Sequence, residues 1–424
     1  DQPVNVATVL RTYEQLDATS QAEIAEAITS LANSWPDDNE AAIAASLLAR
    51  LEGEWELAAS LIEPVLDRAP EDTRAILLWT QIMLDKGERD PLMRLAETVT
   101  AYPDNQELRL QYARLLGSER DYPGARAQFV ILLEKDPENA ELLTTAALLD
   151  FELELYDAAL QKFERLISLN ENVDEAHYYV GRIAVLGDRY PEAIEAFAQV
   201  GPSREFRDAK ARAAELLADT AFASDIRGFF AAQRQAYPGN AEQLFLLEAD
   251  ALRDWKGEAL KAYDRGLTTF PRSFSLLYGR AMVHEAEGQL GAMEDDLRSI
   301  LAQDPDHAAT LNALGYTLTN HTNRYEEAAD LIERALVLSP GDPAILDSLG
   351  WVYYKLGQFA QSEALLRQAH RAFPDPEVAA HLGEVLWIQG KEIEAQDIWQ
   401  DGLSKAPDHH IILEAVERLG ADLP

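Results

Sequence analysis

Residues 340–374 read PGDPAILDSLGWVYYKLGQFAQSEALLRQAHRAFP, two apolar periodicities of helical length separated by one glycine turn. Asp342 is placed to cap a first helix, with Pro343 at its first helical position, where a missing N–H costs nothing. Ile345, Leu349, Val352 and Leu356 then fall on one stripe at helical spacing, and Gly357 supplies the stop. A second helix starts at Phe359, turns Leu366 and Ala369 inward, and ends before Pro374. Gly350 lies where the two helices cross most closely, so a side chain larger than alanine there is expected to force them apart.

The same arrangement stands on both sides. Before it come Leu311, Leu314-Gly315, Leu318, Ala328 and Ile332; after it come Leu382-Gly383, Leu386, Ala395 and Trp399. One helix pair cannot bury its apolar face alone, so such units must stack. Prolines mark the stack at positions 36, 70, 103, 137, 202, 238, 271, 305, 340, 374 and 407, with Glu171 filling the one double step. The pattern resembles the tetratricopeptide repeat. That resemblance implies an all-α fold, a right-handed solenoid of helical hairpins with about twelve repeats.

Composition bounds what such a chain can do. A length of 424 residues would suggest about three ordinary domains, but the repeat replaces them with one elongated stack. An apolar fraction of 47% supports continuous packing, and 8% aromatic residues argue against disorder. A formal charge of −37 makes nucleic acid or an anionic membrane surface a poor direct ligand. It fits a basic partner, or simply the solubility of a long molecule. With no cysteine, the chain has no disulfide, thiolate nucleophile or sulfur-ligated metal, and no apolar run approaches a membrane span of about 18 residues.

In chain order, residues 1–35 read as N-terminal capping helices, the first on Val6, Val9, Leu10 and Tyr13, the second on Ile24, Ile28 and Leu31. Residues 36–200 hold the N-terminal repeats, degenerate at first, with Trp79 and Met83 at core positions. The period weakens over 201–237, an irregular helical unit or a hinge. Its apolar content (Phe206, Ala213, Leu216, Phe229, Phe230) favours a unit of altered curvature over a mobile linker. Regular repeats return over 238–407, and 408–424 reads as a capping helix on Ile411, Ile412, Leu413 and Val416 with a frayed tail.

Catalysis has no foothold in this pattern. The eight histidines scatter among different units, and only His409 and His410 are neighbours. That pair reads as a solvated turn at a helix start, because a metal site would want ligands beyond Glu414. No phosphate loop, nucleophile elbow or zinc-protease signature occurs. The expectation is a non-enzymatic protein without cofactors or metals.

Binding is the better reading. The repeat resemblance implies that residues four, seven, eleven and fourteen after each opening proline face a concave groove. These offsets, with a slightly shifted start in the last unit, select Phe245, Tyr278, Asn312, Tyr316, Asp347, Trp351, Tyr354, Glu384 and Trp387. Aromatics at non-core positions are costly to expose and are favoured at interface hot spots. The alternative is that they pack between neighbouring repeats. As a groove, the set suits an apolar segment, and Glu242, Glu285, Asp347, Glu377 and Glu384 favour Lys or Arg on it. Lys and Arg are missing from the inward positions, which disfavours capture of an acidic C-terminal tail.

Three runs sharpen the resemblance: Leu311–Tyr316 with Arg324–Ala328, Asp342–Trp351, and Asp375–Trp387. Together they are similar to a tetratricopeptide lipoprotein family of Gram-negative bacteria, one member of which is the outer-membrane adaptor of a periplasmic carboxyl-terminal processing protease acting on cell-wall hydrolases. The resemblance implies a periplasmic scaffold with a serine protease and its substrates as partners. It also implies membrane attachment only through a lipid anchor ahead of Asp1, whose lipobox cysteine this chain lacks. A general scaffold for envelope or cytoplasmic complexes is the alternative.

Overall fold

The computed structural model describes residues 13–88, 91–220 and 222–422. Among them every regular element is helical: 24 α-helices and two short 3-10 turns, with no strand. The chain divides into two compact units, with the boundary between Ala196 and Phe197.

In the first unit Ala18–Ser34 is followed by the pairs Asn39–Leu51 with Trp55–Arg68, Thr73–Asp85 with Pro91–Ala101, Gln106–Ser118 with Tyr122–Lys135, Ala140–Glu152 with Tyr156–Leu169, and Val173–Leu186 with Tyr190–Gln199, the last helix containing the boundary. The expected helix on Val6, Val9 and Leu10 lies outside the described residues. Tyr13 begins a 3-10 turn, and its hydroxyl donates to Glu52 Oε1 at 2.8 Å. Ile28 is buried in the following helix, whereas Leu31 is exposed.

The second unit pairs Phe206–Thr220 with Ala223–Ala236, Ala241–Ala251 with Lys256–Thr269, Phe274–Ala286 with Leu290–Gln303, Ala308–His321 with Tyr325–Leu338, Pro343–Lys355 with Phe359–Ala372, and Pro376–Ile388 with Glu392–Lys405. His410–Leu419 closes it, and Gly420 follows in the left-handed conformation at φ 66°. The described residues thus hold eleven helix pairs flanked by single helices, close to the twelve repeats expected.

The periodic prolines explain the regularity. At six of them the residue two positions later caps the next first helix: Asp38, Asp72, Asn105, Asn139, Ser273 and Asp342 all accept a backbone N–H from the first turn. Asp342 takes Ala344 N at 2.9 Å and Ile345 N at 3.4 Å. In eight of the pairs the chain reverses through one residue of positive φ, such as Gly357 at 75°.

The first and second helices meet at the expected glycines. A Cβ on Gly350 would stand 2.6 Å from Leu366 Cγ, and one on Gly383 would stand 2.3 Å from Trp399 Nε1. The approach is therefore closer than the residue pattern suggests: alanine itself does not fit without movement.

The irregular stretch after Val200 is helical and well packed, with Phe206, Ala209, Ala213, Ile226 and Phe230 buried. Here a fully buried lysine braces the joint at Pro202. Lys210 Nζ donates to the carbonyls of Phe197, Ala198 and Val200 at 3.0, 2.8 and 2.7 Å, satisfying the open end of the helix Tyr190–Gln199. The ammonium also lies 5.1 Å from the Phe206 ring centre and 4.9 Å from that of Tyr237.

Candidate functional site

First helices of four successive pairs in the second unit, Phe274–Ala286 through Pro376–Ile388, line a cleft of about 390 Å³. Their side chains reach it because the second helices and the crossing glycines hold the other face of each first helix against the core. Four of the expected site residues, Tyr278, Asn312, Tyr316 and Asp347, come together there. The cleft wall also includes Phe373, Asp375, Glu285 and Glu377, and no lysine or arginine.

Hydrogen bonds fix the acidic side chains. The Tyr316 hydroxyl donates to Glu377 two repeats further on. Thr317 Oγ1 donates to Glu285 Oε1 at 2.8 Å, with His321 Nε2 3.9 Å from the same oxygen. Asp375 Oδ1 accepts the Glu377 N–H at 2.9 Å, capping the last first helix. Burial and then the neighbouring carboxylates, Glu285 for Tyr278 and Glu377 for Tyr316, push both phenols above the ordinary tyrosine range. Asn312 Oδ1 is buried at the cleft and has no donor.

Behind the cleft lies a residue that the repeat offsets pass over. His381 is 2% exposed, and its Nδ1 stands 3.0 Å from both carboxylate oxygens of Asp347. Burial by itself would depress its pKa; the charge and hydrogen bond of Asp347 outweigh burial and hold it above the ordinary histidine value. Asp347 and His381 are 34 residues apart, one repeat, so pairing polar residues at that interval was the signal available in the sequence.

The other expected site residues take different positions. Trp351 is 7% exposed, stacked on His381 at 4.2 Å and Tyr354 at 5.0 Å between ring centres, and its Nε1 donates to Asn320 Oδ1 at 2.8 Å. Lys355 Nζ lies 4.3 Å from the Trp351 ring centre, and burial lowers its pKa. Glu384 is buried, with Oε2 2.6 Å from the Arg418 guanidinium. The Tyr354 phenol is pushed up to about 12, by burial first and then by Glu384. Trp387 packs against Trp399 at 5.8 Å in the terminal core. Phe245 stays away from the cleft: it is a core residue, and the Arg234 guanidinium lies 4.0 Å over its ring. Lys355 and Arg418 also qualify the expectation of a groove without basic groups. Arg418 arrives from the closing helix, which the repeat offsets do not cover.

Among the described residues no group of three or more histidine, aspartate or glutamate side chains is arranged to hold a metal ion, and no helix is long and apolar enough to cross a membrane.

Comparison with known proteins agrees with this architecture. Tetratricopeptide-repeat family models match residues 144–201, 294–343 and 321–385, so the chain carries tetratricopeptide repeats in these segments. A TPR repeat-containing protein of Pseudomonas aeruginosa is 44% identical over 214 residues, 50% of this chain and 36% of that protein. A human protein O-mannosyl-transferase is 24% identical over 170 residues, 38% of this chain and 19% of that protein. The chain thus spans about a third or less of the length of these relatives. Among solved structures, a Thermus thermophilus tetratricopeptide protein aligns with 42% of this chain and 97% of its own at 23% identity and TM-score 0.37. MamA of Desulfovibrio magneticus aligns with 40% and 97% at 16% identity and TM-score 0.34.

Proposed function

We propose that this protein is a non-enzymatic interaction scaffold that holds an extended segment of a partner protein in the cleft between Tyr278 and Glu377. The observation that carries this reading is the cleft itself: aromatic and acidic side chains from four successive repeats converge on a space that no side chain of the described residues fills. Hot-spot chemistry supports it, because the half-buried Tyr278 and the exposed Phe373 offer large amphipathic or apolar surface beside water.

The finer reading is that of a periplasmic, lipid-anchored adaptor that brings a carboxyl-terminal processing protease together with cell-wall hydrolases. What supports it is the family resemblance of three runs, and those runs contribute Asn312, Tyr316, Asp347 and Glu377 to the cleft. The mechanism would be raised effective concentration of substrate at the protease, without chemistry from this chain.

Two measurements test the two levels. Tyr278→Ala with Phe373→Ala should abolish retention on partner-derived peptide arrays while leaving the thermal melt nearly unchanged, since both rings keep contact with solvent; undiminished retention would remove the cleft from the account. For the adaptor, the hydrolysis rate of a cell-wall hydrolase by the purified processing protease should rise on adding this protein. A rate indifferent to the addition ends the adaptor reading and leaves the scaffold.

A further inference from the structure

The cleft's charge is unbalanced in a way that specifies its ligand. Glu285 and Glu377 take their side-chain hydrogen bonds from neutral hydroxyls, Thr317 and Tyr316, and the His321 imidazole stands beyond hydrogen-bond reach of Glu285 at 3.9 Å. Asp347 is different, because His381 already engages both of its oxygens. The cleft wall contributes no lysine or arginine of its own.

We infer that the cleft selects an arginine side chain on the partner segment, the guanidinium drawn by the Glu285 and Glu377 carboxylates with its plane against the tyrosine walls. This rests on the cleft being a peptide groove. Arginine fits better than lysine on two counts. Its planar fork has five donors and matches carboxylate geometry, and its weakly hydrated plane stacks on aromatic faces such as Tyr278 and Tyr316. A lysine ammonium would meet the charge but would leave more acceptors unmatched.

The test uses immobilised pools of seven-residue peptides, blocked at both ends, with degenerate flanks and a fixed central arginine, lysine, citrulline, leucine or glutamate. The full chain is compared with Glu285→Gln/Glu377→Gln, which keeps both hydroxyl partners, and with Glu56→Gln/Glu392→Gln, which removes the same charge at exposed positions elsewhere. Retention on the arginine pool should exceed that on the neutral isostere citrulline by about tenfold or more, as expected for charge-assisted contacts. It should exceed the lysine pool as well. The first double variant should fall to the citrulline level, and the second should bind as the parent does.

If arginine and citrulline pools bind equally and both are lost in Tyr278→Ala, selection for arginine is overturned while the groove stands. Equal loss in both double variants overturns it in favour of diffuse charge attraction. Retention on no pool at all overturns the selection and the groove together.

Discussion

Replacing Gly350 by alanine tests the helix pairing on which the cleft is built. The new Cβ would stand 2.6 Å from Leu366 Cγ, 3.0 Å from its Cδ2 and 3.2 Å from the Ser362 carbonyl, whereas ordinary contact begins at 3.4 Å. Leu366 is fully buried, so it can yield only by opening a void or by parting the two helices. Overpacking of this kind costs about 1–3 kcal/mol. Against it stands the helix propensity gained on replacing glycine, about 1 kcal/mol. The net expectation is a loss of up to about 2 kcal/mol, lowering the melting temperature by up to roughly 8 °C in a body of this size.

Gly228→Ala is the matched control. It lies inside the helix Ala223–Ala236, and a Cβ there meets nothing within 4 Å, so the propensity term acts alone and should stabilise by about 0.5–1 kcal/mol. The same substitution therefore has opposite signs at the two sites. Urea unfolding followed by circular dichroism would measure both, with hydrogen exchange across Pro343–Lys355 locating the loss, because stacked repeats open locally. Two variants of equal stability, or a more stable Gly350→Ala, would refute the close crossing. Gly350→Leu should be worse again.

Two further expectations follow from buried charges. Lys210→Met strips the carbonyls of Phe197, Ala198 and Val200 of their common donor, and should cost about 3 kcal/mol or more, read as a lowered melt and faster hydrogen exchange near the end of Tyr190–Gln199; an unchanged melt would show that water replaces the ammonium freely. The fold raises the pKa of His381, so its pairing with Asp347 stabilises fully below the unfolded value of about 6.5 and loses that contribution as pH rises through the folded pKa. The gap in urea midpoint between the parent and His381→Gln should accordingly be widest near pH 5.5 and close toward pH 9; a gap that grows with pH would mean the histidine is held neutral.

Much of this molecule is legible in its residue order. The proline period places the repeats, Asp342 and Pro343 place a helix start, and Gly315, Gly350 and Gly383 mark the crossings. All of these are local devices that act within one helical hairpin or between adjacent ones, and a stack of such hairpins inherits its fold from them. Offsets from the prolines also bring Tyr278, Asn312, Tyr316 and Asp347 to one cleft.

What the offsets could not decide was exposure. Whether an aromatic ring faces water depends on side chains contributed by other repeats: Arg234 covers Phe245, while Trp351 lies stacked on His381 from the next repeat. Tyr316 reaches Glu377 across 61 residues, and Arg418 meets Glu384 from a helix outside the period. Such contacts form only when neighbouring units have packed. The sequence alone therefore determined an all-α repeat fold and a candidate groove face. Tertiary packing decided which of those side chains became wall and which became core.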